Sequence, residues 1–212
     1  DLDPFLFLRY AKYIVEHGSL MKIDTMRYVP LGFNTAMETQ VLPYMMAYFH
    51  KLLVIFKPAI SVNYSALMFP VFMFLLTVIA FFLMTRKIFE DNKYRDIIAF
   101  ISSAFLILSP SLLSRTIAGI PEKESAGFFF LFISFYFFLS SWKSETYKKG
   151  IIFAFLAGVS TLLMALIWGG SIYIFVTIAL FTSLNFIFGK IDNKRFVFYL
   201  VWFIVSILSL PL

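Results

Sequence analysis

Apolar runs of about 20 residues recur along most of the chain, separated by short hydrophilic breaks, and this rhythm limits the fold more than any other feature. Hydrophobic residues make up 61% of the 212 positions and charged ones only 14%. One soluble core cannot cover that much apolar surface, so the chain reads as an all-α, polytopic membrane helix bundle. Six spans are expected: Val62 to Thr85, Ile97 to Leu113, Ser125 to Trp142, Gly150 to Trp168, Gly170 to Phe188, and Phe196 onward. The first is expected to kink at Pro70.

Charge orders these spans. A net charge of +6 would suit nucleic acid in a soluble protein, but here the cations cluster beside apolar runs, where they orient helices. The lipid bilayer is therefore the expected partner, and nucleic acid is not. Basic connectors (Arg86, Lys87, Lys93, Arg95; then Lys143, Lys148, Lys149; then Lys190, Lys194, Arg195) alternate with basic-poor ones around Glu122 and Gly169. The positive-inside rule places the basic set in the cytoplasm and the basic-poor set, with residues 1–61, on the outer face. The absence of cysteine rules out disulfides, thiolate nucleophiles and Cys-ligated zinc.

Residues 1–61 form a first unit, an outer segment with amphipathic helices, and residues 62–212 a second, the membrane bundle. In the outer segment Asp3-Pro4 reads as a helix start that Gly18 terminates. A second helix is expected from Pro43 to before Pro58, with Leu42, Met45, Met46, Phe49, Leu52, Leu53 and Phe56 recurring at three or four residues. It would lie on the bilayer or pack on the spans. Residues Ser19 to Gln40 read as irregular. Asp1 in place of an initiator Met, and an apolar run that leads straight into Ser209-Leu210-Pro211-Leu212, are what an excised fragment would show.

The chemistry-bearing residues sit in the outer breaks. Asp3 and the pair Glu122 and Glu124 would stand at one membrane face, where carboxylates are costly unless they bind a cation or polarise a substrate. Each acid also has a plain role: acids complement the dipole at a helix start, and Pro121 suits the first helical position. Residues two apart on a regular helix diverge by roughly 200°, so shared ligation by Glu122 and Glu124 requires an extended turn there. Lys123 would then point away from the ion. An oxygen-only donor set suits Mg²⁺ or Mn²⁺. Arg115, on the outer side, is suited to pair with a carboxylate or a phosphate, or to snorkel from the end of a span. His17 and His50 lack ligand spacing and read as surface or packing residues. The aromatic run Phe128 to Phe138 reads as lipid-facing bulk, and Asn63-Tyr64-Ser65 as a chance match to a glycosylation acceptor.

Several motifs, in order, resemble the catalytic subunit of oligosaccharyltransferase, a member of the GT-C class of multi-span glycosyltransferases. Asp1-Leu2-Asp3-Pro4-Phe5-Leu6-Phe7-Leu8-Arg9-Tyr10 is similar to that family's first acidic motif. Tyr28-Val29-Pro30-Leu31-Gly32 and Leu42-Pro43-Tyr44 resemble landmarks of its first external loop. Ser114-Arg115-Thr116-Ile117-Ala118-Gly119-Ile120-Pro121-Glu122-Lys123-Glu124 is similar to its second acidic block, with Glu122 where aspartate is usual, and Trp168-Gly169-Gly170 matches a later Trp-Gly-Gly. The family's Thr-Ile-x-Glu loop and the Trp-Trp-Asp of its soluble C-terminal domain do not occur in these residues.

The resemblance implies glycan transfer from a polyprenyl-(pyro)phosphate carrier to the asparagine of an Asn-x-Ser/Thr acceptor peptide, metal-dependent and inverting. It takes place on the non-cytoplasmic face of a prokaryotic cell membrane or of the endoplasmic reticulum. Asp3 and Glu124 are implied as catalytic, Asp3, Glu122 and Glu124 as ligands of Mn²⁺ or Mg²⁺, and Arg115 as a residue that binds substrate. The fragment alone is expected to be inactive. The rival readings are a protein O-mannosyltransferase-like GT-C enzyme, a cation-coupled transporter with the acids as ion ligands, and a non-catalytic accessory subunit.

Overall fold

A computed structural model of the chain describes residues 3–208, so Asp1 and Leu2 of the first motif and Ser209 to Leu212 of the last span lie outside it. Helices dominate: α1 (Asp3–His17), α2 (Val41–Phe56), α3 (Val62–Ile88), α4 (Arg95–Ile107), α5 (Pro110–Leu113), α6 (Lys123–Trp142), α7 (Tyr147–Ala165), α8 (Ile172–Ile187) and α9 (Asn193–Ile207). The bundle runs α4 against α3, α3 against α6, α6 against α7 and α7 against α9, while α1 and α2 pack on each other and on α3.

Among the described residues four helices are long and apolar enough to cross a membrane: Val62–Ile88, Lys123–Trp142, Tyr147–Ala165 and Gly169–Ile187. The other two expected spans are shorter among the described residues. The segment Ile97 to Leu113 divides into α4 and α5, because Pro110 biases the residue before it away from helix and Ser109 is extended (φ −67, ψ 119). α9 runs for 15 described residues. Pro70 lies inside α3, which continues through it.

The outer segment begins as expected. α1 starts at Asp3 and ends before Gly18, whose φ of +82 is the left-handed turn that stops a helix. α2 starts at Val41, two residues before Pro43, which stands in the first turn where its missing N–H has no intrahelical partner to lose. Tyr10, Ile14, Leu20 and Ala47 form a small core between α1 and α2.

Residues 19–40 are more ordered than the sequence indicates. Two short antiparallel strands, β1 (Ile23–Asp24) and β2 (Phe33–Asn34), hold a loop centred on Asp24. Asp24 is fully buried, pairs with both guanidinium ends of Arg9, and accepts from the Tyr10 hydroxyl (3.0 Å) and the Met26 amide (3.0 Å). Burial alone would raise its pKa. The hydrogen bonds from Arg9, Met26 and Tyr10 outweigh that and hold it below the ordinary carboxylate range. Arg27 extends the network to Glu38 (2.7 and 3.1 Å).

In the bundle, small residues set the distances between helices. A Cβ on Gly150 would fall 2.0 Å from Phe198 Cζ, and one on Gly158 would fall 2.6 Å from Val205 Cβ, so α9 lies directly on α7. Thr161 accepts from the Trp202 indole N–H at 3.0 Å across this contact. The aromatic run of α6 is not lipid-facing bulk: Phe130 and Phe138 are buried, and Phe138 packs on Trp142, Phe181 and Trp202.

Candidate functional site

The hydrophilic breaks gather at two ends of the bundle. At one end Lys143 bridges back to Glu90 (3.1 Å) and to the Lys87 and Ile88 carbonyls, and Lys194 donates to the Glu145 carbonyl, so the basic connectors meet. At the other end stand the start of α1, the first turns of α3, the loop 114–122 and the Trp168 turn. Asp3 and the second acidic motif are therefore on one face, opposite the basic connectors.

The loop 114–122 is held by its backbone. Pro70 has no N–H, which removes the in-helix donor of the Ala66 carbonyl. The neighbouring Leu67 carbonyl accepts from the Gly119 amide at 3.0 Å. Gly119 reaches it with φ +88, a conformation that other residues rarely adopt. The Ala-Gly of the second motif thus turns the loop onto α3.

The loop delivers Pro121 and Glu122 to the start of α6. Glu122 is the residue before the helix, extended at φ −96 and ψ 162, so the required departure from helix between Glu122 and Glu124 is present. Helix begins at Lys123, two residues later than Pro121 at its first position would place it. The Glu122 carboxylate does not cap α6. It is 6% exposed and accepts from Arg115 Nη1 at 2.6 Å, while the Ser125 hydroxyl donates to the Glu122 carbonyl (2.7 Å). Hydrogen bonding to Glu122, its charge and the charge of Glu124 raise the pKa of Arg115. Arg115 therefore answers to both acids of the motif, as a carboxylate partner rather than a residue snorkelling from the preceding span.

The start of α1 and the second motif meet around a cavity of about 160 Å³ lined by Pro4, Phe5, Leu8, Asn63, Ala66, Leu67, Gly119 and Pro121. Asp3 and Glu122 are the chain neighbours of Pro4 and Pro121, and neither carboxylate is among the lining residues. Lys123 Nζ stands 5.5 Å from the centre of the Phe7 ring, a cation–π contact that ties the first turn of α6 to α1. The notch is smaller than a pocket that encloses a whole ligand and has room for a group the size of a side chain. A larger cavity of about 630 Å³ lies at the opposite end among Lys87, Glu90 and Lys143, away from the acids of both motifs.

Trp168 fixes the start of α6 from the far side. Its ring lies where a Cβ on Gly170 would be (2.2 Å from Cζ3) and against Gly127 (2.9 Å from Cε3), and it meets Phe128 edge to face. The Trp-Gly-Gly sequence is thus a clamp: Gly170 makes room for the indole, and Gly127 lets it approach α6 three residues after Glu124.

Among the described residues, no three His, Asp or Glu side chains are grouped so that they could hold a metal ion. Asp3, Glu122 and Glu124 share a face without forming such a group, and Glu122 is engaged by Arg115. Asp3 is exposed. His17 is exposed and stacks on Tyr13, and His50 is buried with Nδ1 2.9 Å from Ser65 Oγ, so both serve packing. Asn63 sits in the first turn of α3, where it brings a polar side chain to the cavity wall. Sequence reasoning missed it, and its only signal was the dismissed acceptor pattern. Along the four candidate spans the only carboxylate is Glu124, in the first turn of α6, and none lies at mid-membrane depth.

Compared with known proteins, residues 1–212 match the family described as Oligosaccharyl transferase STT3, N-terminal. The chain is 26% identical to the dolichyl-diphosphooligosaccharide--protein glycosyltransferase subunit stt-3 of Caenorhabditis elegans, over 99% of this chain and 27% of that protein. It is 24% identical to stt3 of Schizosaccharomyces pombe with the same coverage. The oligosaccharyltransferase of Archaeoglobus fulgidus, solved with zinc and sulfate, shares the fold at TM-score 0.78 and 21% identity, over 97% of this chain and 26% of that one. The archaeal oligosaccharyltransferase AglB from Archaeoglobus fulgidus, in complex with an inhibitory peptide and a dolichol-phosphate, gives TM-score 0.76. The chain thus spans about a quarter of the length of these relatives.

Proposed function

Because the chain belongs to the oligosaccharyl transferase STT3 family, we propose that it is the N-terminal membrane part of an enzyme that transfers a glycan from a polyprenyl-(pyro)phosphate carrier to the asparagine of an Asn-x-Ser/Thr acceptor. The observation that carries this reading is the packing of the start of α1 and the second motif, through Pro4, Phe5, Gly119 and Pro121, around one cavity at one end of a membrane bundle, with Glu122, the chain neighbour of Pro121, held by Arg115. Such a place lets a carrier keep its lipid tail in the bilayer while a peptide arrives from water. The names of the relatives and the peptide and dolichol-phosphate bound to the archaeal neighbour support the same partners. The positive-inside rule puts this end on the non-cytoplasmic face.

The chemical obstacle is the acceptor amide, whose nitrogen lone pair is delocalised. By analogy with the backbone, where rotation about C–N costs about 18–20 kcal/mol, full loss of that conjugation is expensive. Asp3 and Glu124 would accept hydrogen bonds from the NH₂ group and favour a form with a more available lone pair. Arg115 spends one N–H on Glu122 and keeps the rest of a half-exposed guanidinium for the departing phosphate. A single displacement inverts the anomeric centre.

Asp3, Glu122 and Glu124 offer hard oxygen donors of the kind Mn²⁺ or Mg²⁺ takes, but by themselves they are not grouped as a cage. Any bound metal would draw further ligands from elsewhere in the longer enzyme and would stabilise charge on the leaving phosphate.

The test is transfer to an Asn-x-Thr peptide by the full-length protein. Glu124→Gln and Asp3→Asn should each lower the rate by about 100-fold while the protein still inserts and matches the wild-type melting profile. A chelator should abolish transfer, and Mn²⁺ or Mg²⁺ should restore it. Full activity of Glu124→Gln would overturn the assignment.

A further inference from the structure

The basic end of the bundle holds a second arrangement that the transfer reaction does not use. Between the end of α8 and the start of α9 lies a cavity of about 460 Å³ whose walls include Trp142, Asn185, Lys190, Ile191, Asp192 and Arg195. A second cavity of about 240 Å³ adjoins it at Ile191 and runs along α8 and α9, past Thr182, Phe186, Ile187, Phe196 and Tyr199. The first is basic and polar; the second is apolar.

Arg195 is prepared for an anion. Its Nη1 donates to the Lys190 carbonyl at 2.9 Å and its guanidinium stands 5.8 Å from the Trp142 ring centre, which fixes the plane. Its Nε is buried and has no hydrogen-bond partner, so the Nε and Nη2 edge, the geometry that matches two phosphate oxygens, is uncommitted. Lys190 is exposed beside it. The one acid on this wall, Asp192, is turned to α9, where Oδ1 accepts from the Arg195 amide at 2.7 Å.

The apolar cavity carries a matching signal. Thr182 is 7% exposed and its hydroxyl has no partner. Among the described residues three buried side-chain polar atoms are unpaired, and two of them, on Thr182 and Arg195, line these adjoining cavities. Buried donors without partners are costly, so two along one groove mark a place where a ligand supplies acceptors. Thr182 lies five residues, about 8 Å, inside the end of α8, below the level of Arg195, where the ester oxygens of a lipid lie beneath its phosphate. Phe186 and Ile187, each 73% exposed, stand at the end of α8 and flank the mouth of the groove.

The geometry points to one occupant: a phospholipid with an anionic headgroup, its phosphate on the Nε edge of Arg195 beside Lys190, an ester oxygen at Thr182, and an acyl chain between α8 and α9. Charge complementarity selects this class, because a zwitterionic headgroup would bring its own cation against Arg195 and Lys190.

Native mass spectrometry and thermal melting of the full-length protein, delipidated and then titrated with phosphatidylglycerol or phosphatidylcholine, test this. Phosphatidylglycerol should bind and raise the Tm where phosphatidylcholine does not, and Arg195→Ala should weaken that binding about tenfold or more. Should Arg195→Ala fail to fold, Ile187→Trp enlarges an exposed side chain, leaves the core alone and should exclude the lipid by filling the groove. Equal retention of both lipids, or unchanged phosphatidylglycerol binding in Ile187→Trp, overturns the inference. So does an equal rise in Tm from inorganic phosphate, which would make this a site for a free anion.

Discussion

Arg115 donates to Glu122 at 2.6 Å across seven positions of chain, and this bond closes the loop that Gly119 has already turned onto α3. The pair is unequal: the Arg115 side chain is half-exposed and the Glu122 side chain is 8% exposed. Loss of Arg115 leaves a carboxylate in a poorly hydrated place, whereas loss of the Glu122 charge leaves a cation in water. In the full-length enzyme Arg115→Gln and Glu122→Gln should each lower kcat/KM by roughly tenfold or more, and the double variant should be no worse than the worse single one. Strictly multiplicative losses would show that the two residues act separately.

Trp168 makes the three neighbouring glycines unequal. Gly170→Ala puts a methyl 2.2 Å from a rigid ring and should destabilise by about 1–3 kcal/mol. Gly127→Ala meets the same ring at 2.9 Å, but alanine regains about 1 kcal/mol of helix propensity, so its net cost should be smaller. Gly169→Ala meets nothing within 4 Å and should stay within about 0.5 kcal/mol of wild type. Melting in detergent should therefore rank the variants 170, 127, 169.

Gly119 is required for a different reason. A Cβ there would sit 3.9 Å from Leu67 Cγ, an ordinary contact, so the cost of Gly119→Ala is conformational, about 1–2 kcal/mol for a residue held at φ +88. Gly119→Asn should recover part of the loss in the same melting experiment, because asparagine tolerates the left-handed region. Equal losses for the two variants would point to sterics instead.

Asp24 makes the outer loop sensitive to acid. Burial pushes its pKa up, but the bonds from Arg9, Met26 and Tyr10 bring it below the unfolded value. Its stabilisation is therefore complete above about pH 4 and is lost as pH falls through the folded value. Proteolysis within residues 19–40, by a protease suited to each pH and scaled to its rate on an unfolded substrate, should accelerate below that range. Asp24→Asn should be cleaved quickly even at pH 7, having lost about 2 kcal/mol of charged hydrogen bonding. A protease pattern independent of pH would contradict this.

The sequence was most legible where backbone chemistry decides. Gly18 ends α1 as expected, and the spans fall within a few residues of α3, α6, α7 and α8. It was least legible where lipid replaces water as the outer solvent. Phe130 and Phe138 could not be told from lipid-facing phenylalanines, because hydrocarbon is as apolar as the core and no periodicity separates the two. The break at Ser109-Pro110 was visible in the residues, yet a window the length of a span averages over it. For the site, the sequence singled out Asp3, Glu122, Glu124 and Arg115, and the structure puts them on one face. It did not show that Glu122 is the partner Arg115 takes, nor that Asn63 reaches the same cavity. The first depends on the turn the loop takes between residues 115 and 122, and the second on the Gly119–Leu67 bond that brings the loop to α3 across a long stretch of chain.

The contact of Trp168 with Gly127 also fixes an order of events during synthesis. The nascent chain presents Asp3 first and Glu122 and Glu124 much later, and the ring that immobilises their turn emerges last of all. A ribosome-bound intermediate that stops short of Trp168 would hold both acidic motifs without the wedge that sets their geometry. The start of α6 thus meets this ring only once α7 has been inserted and the chain has turned back.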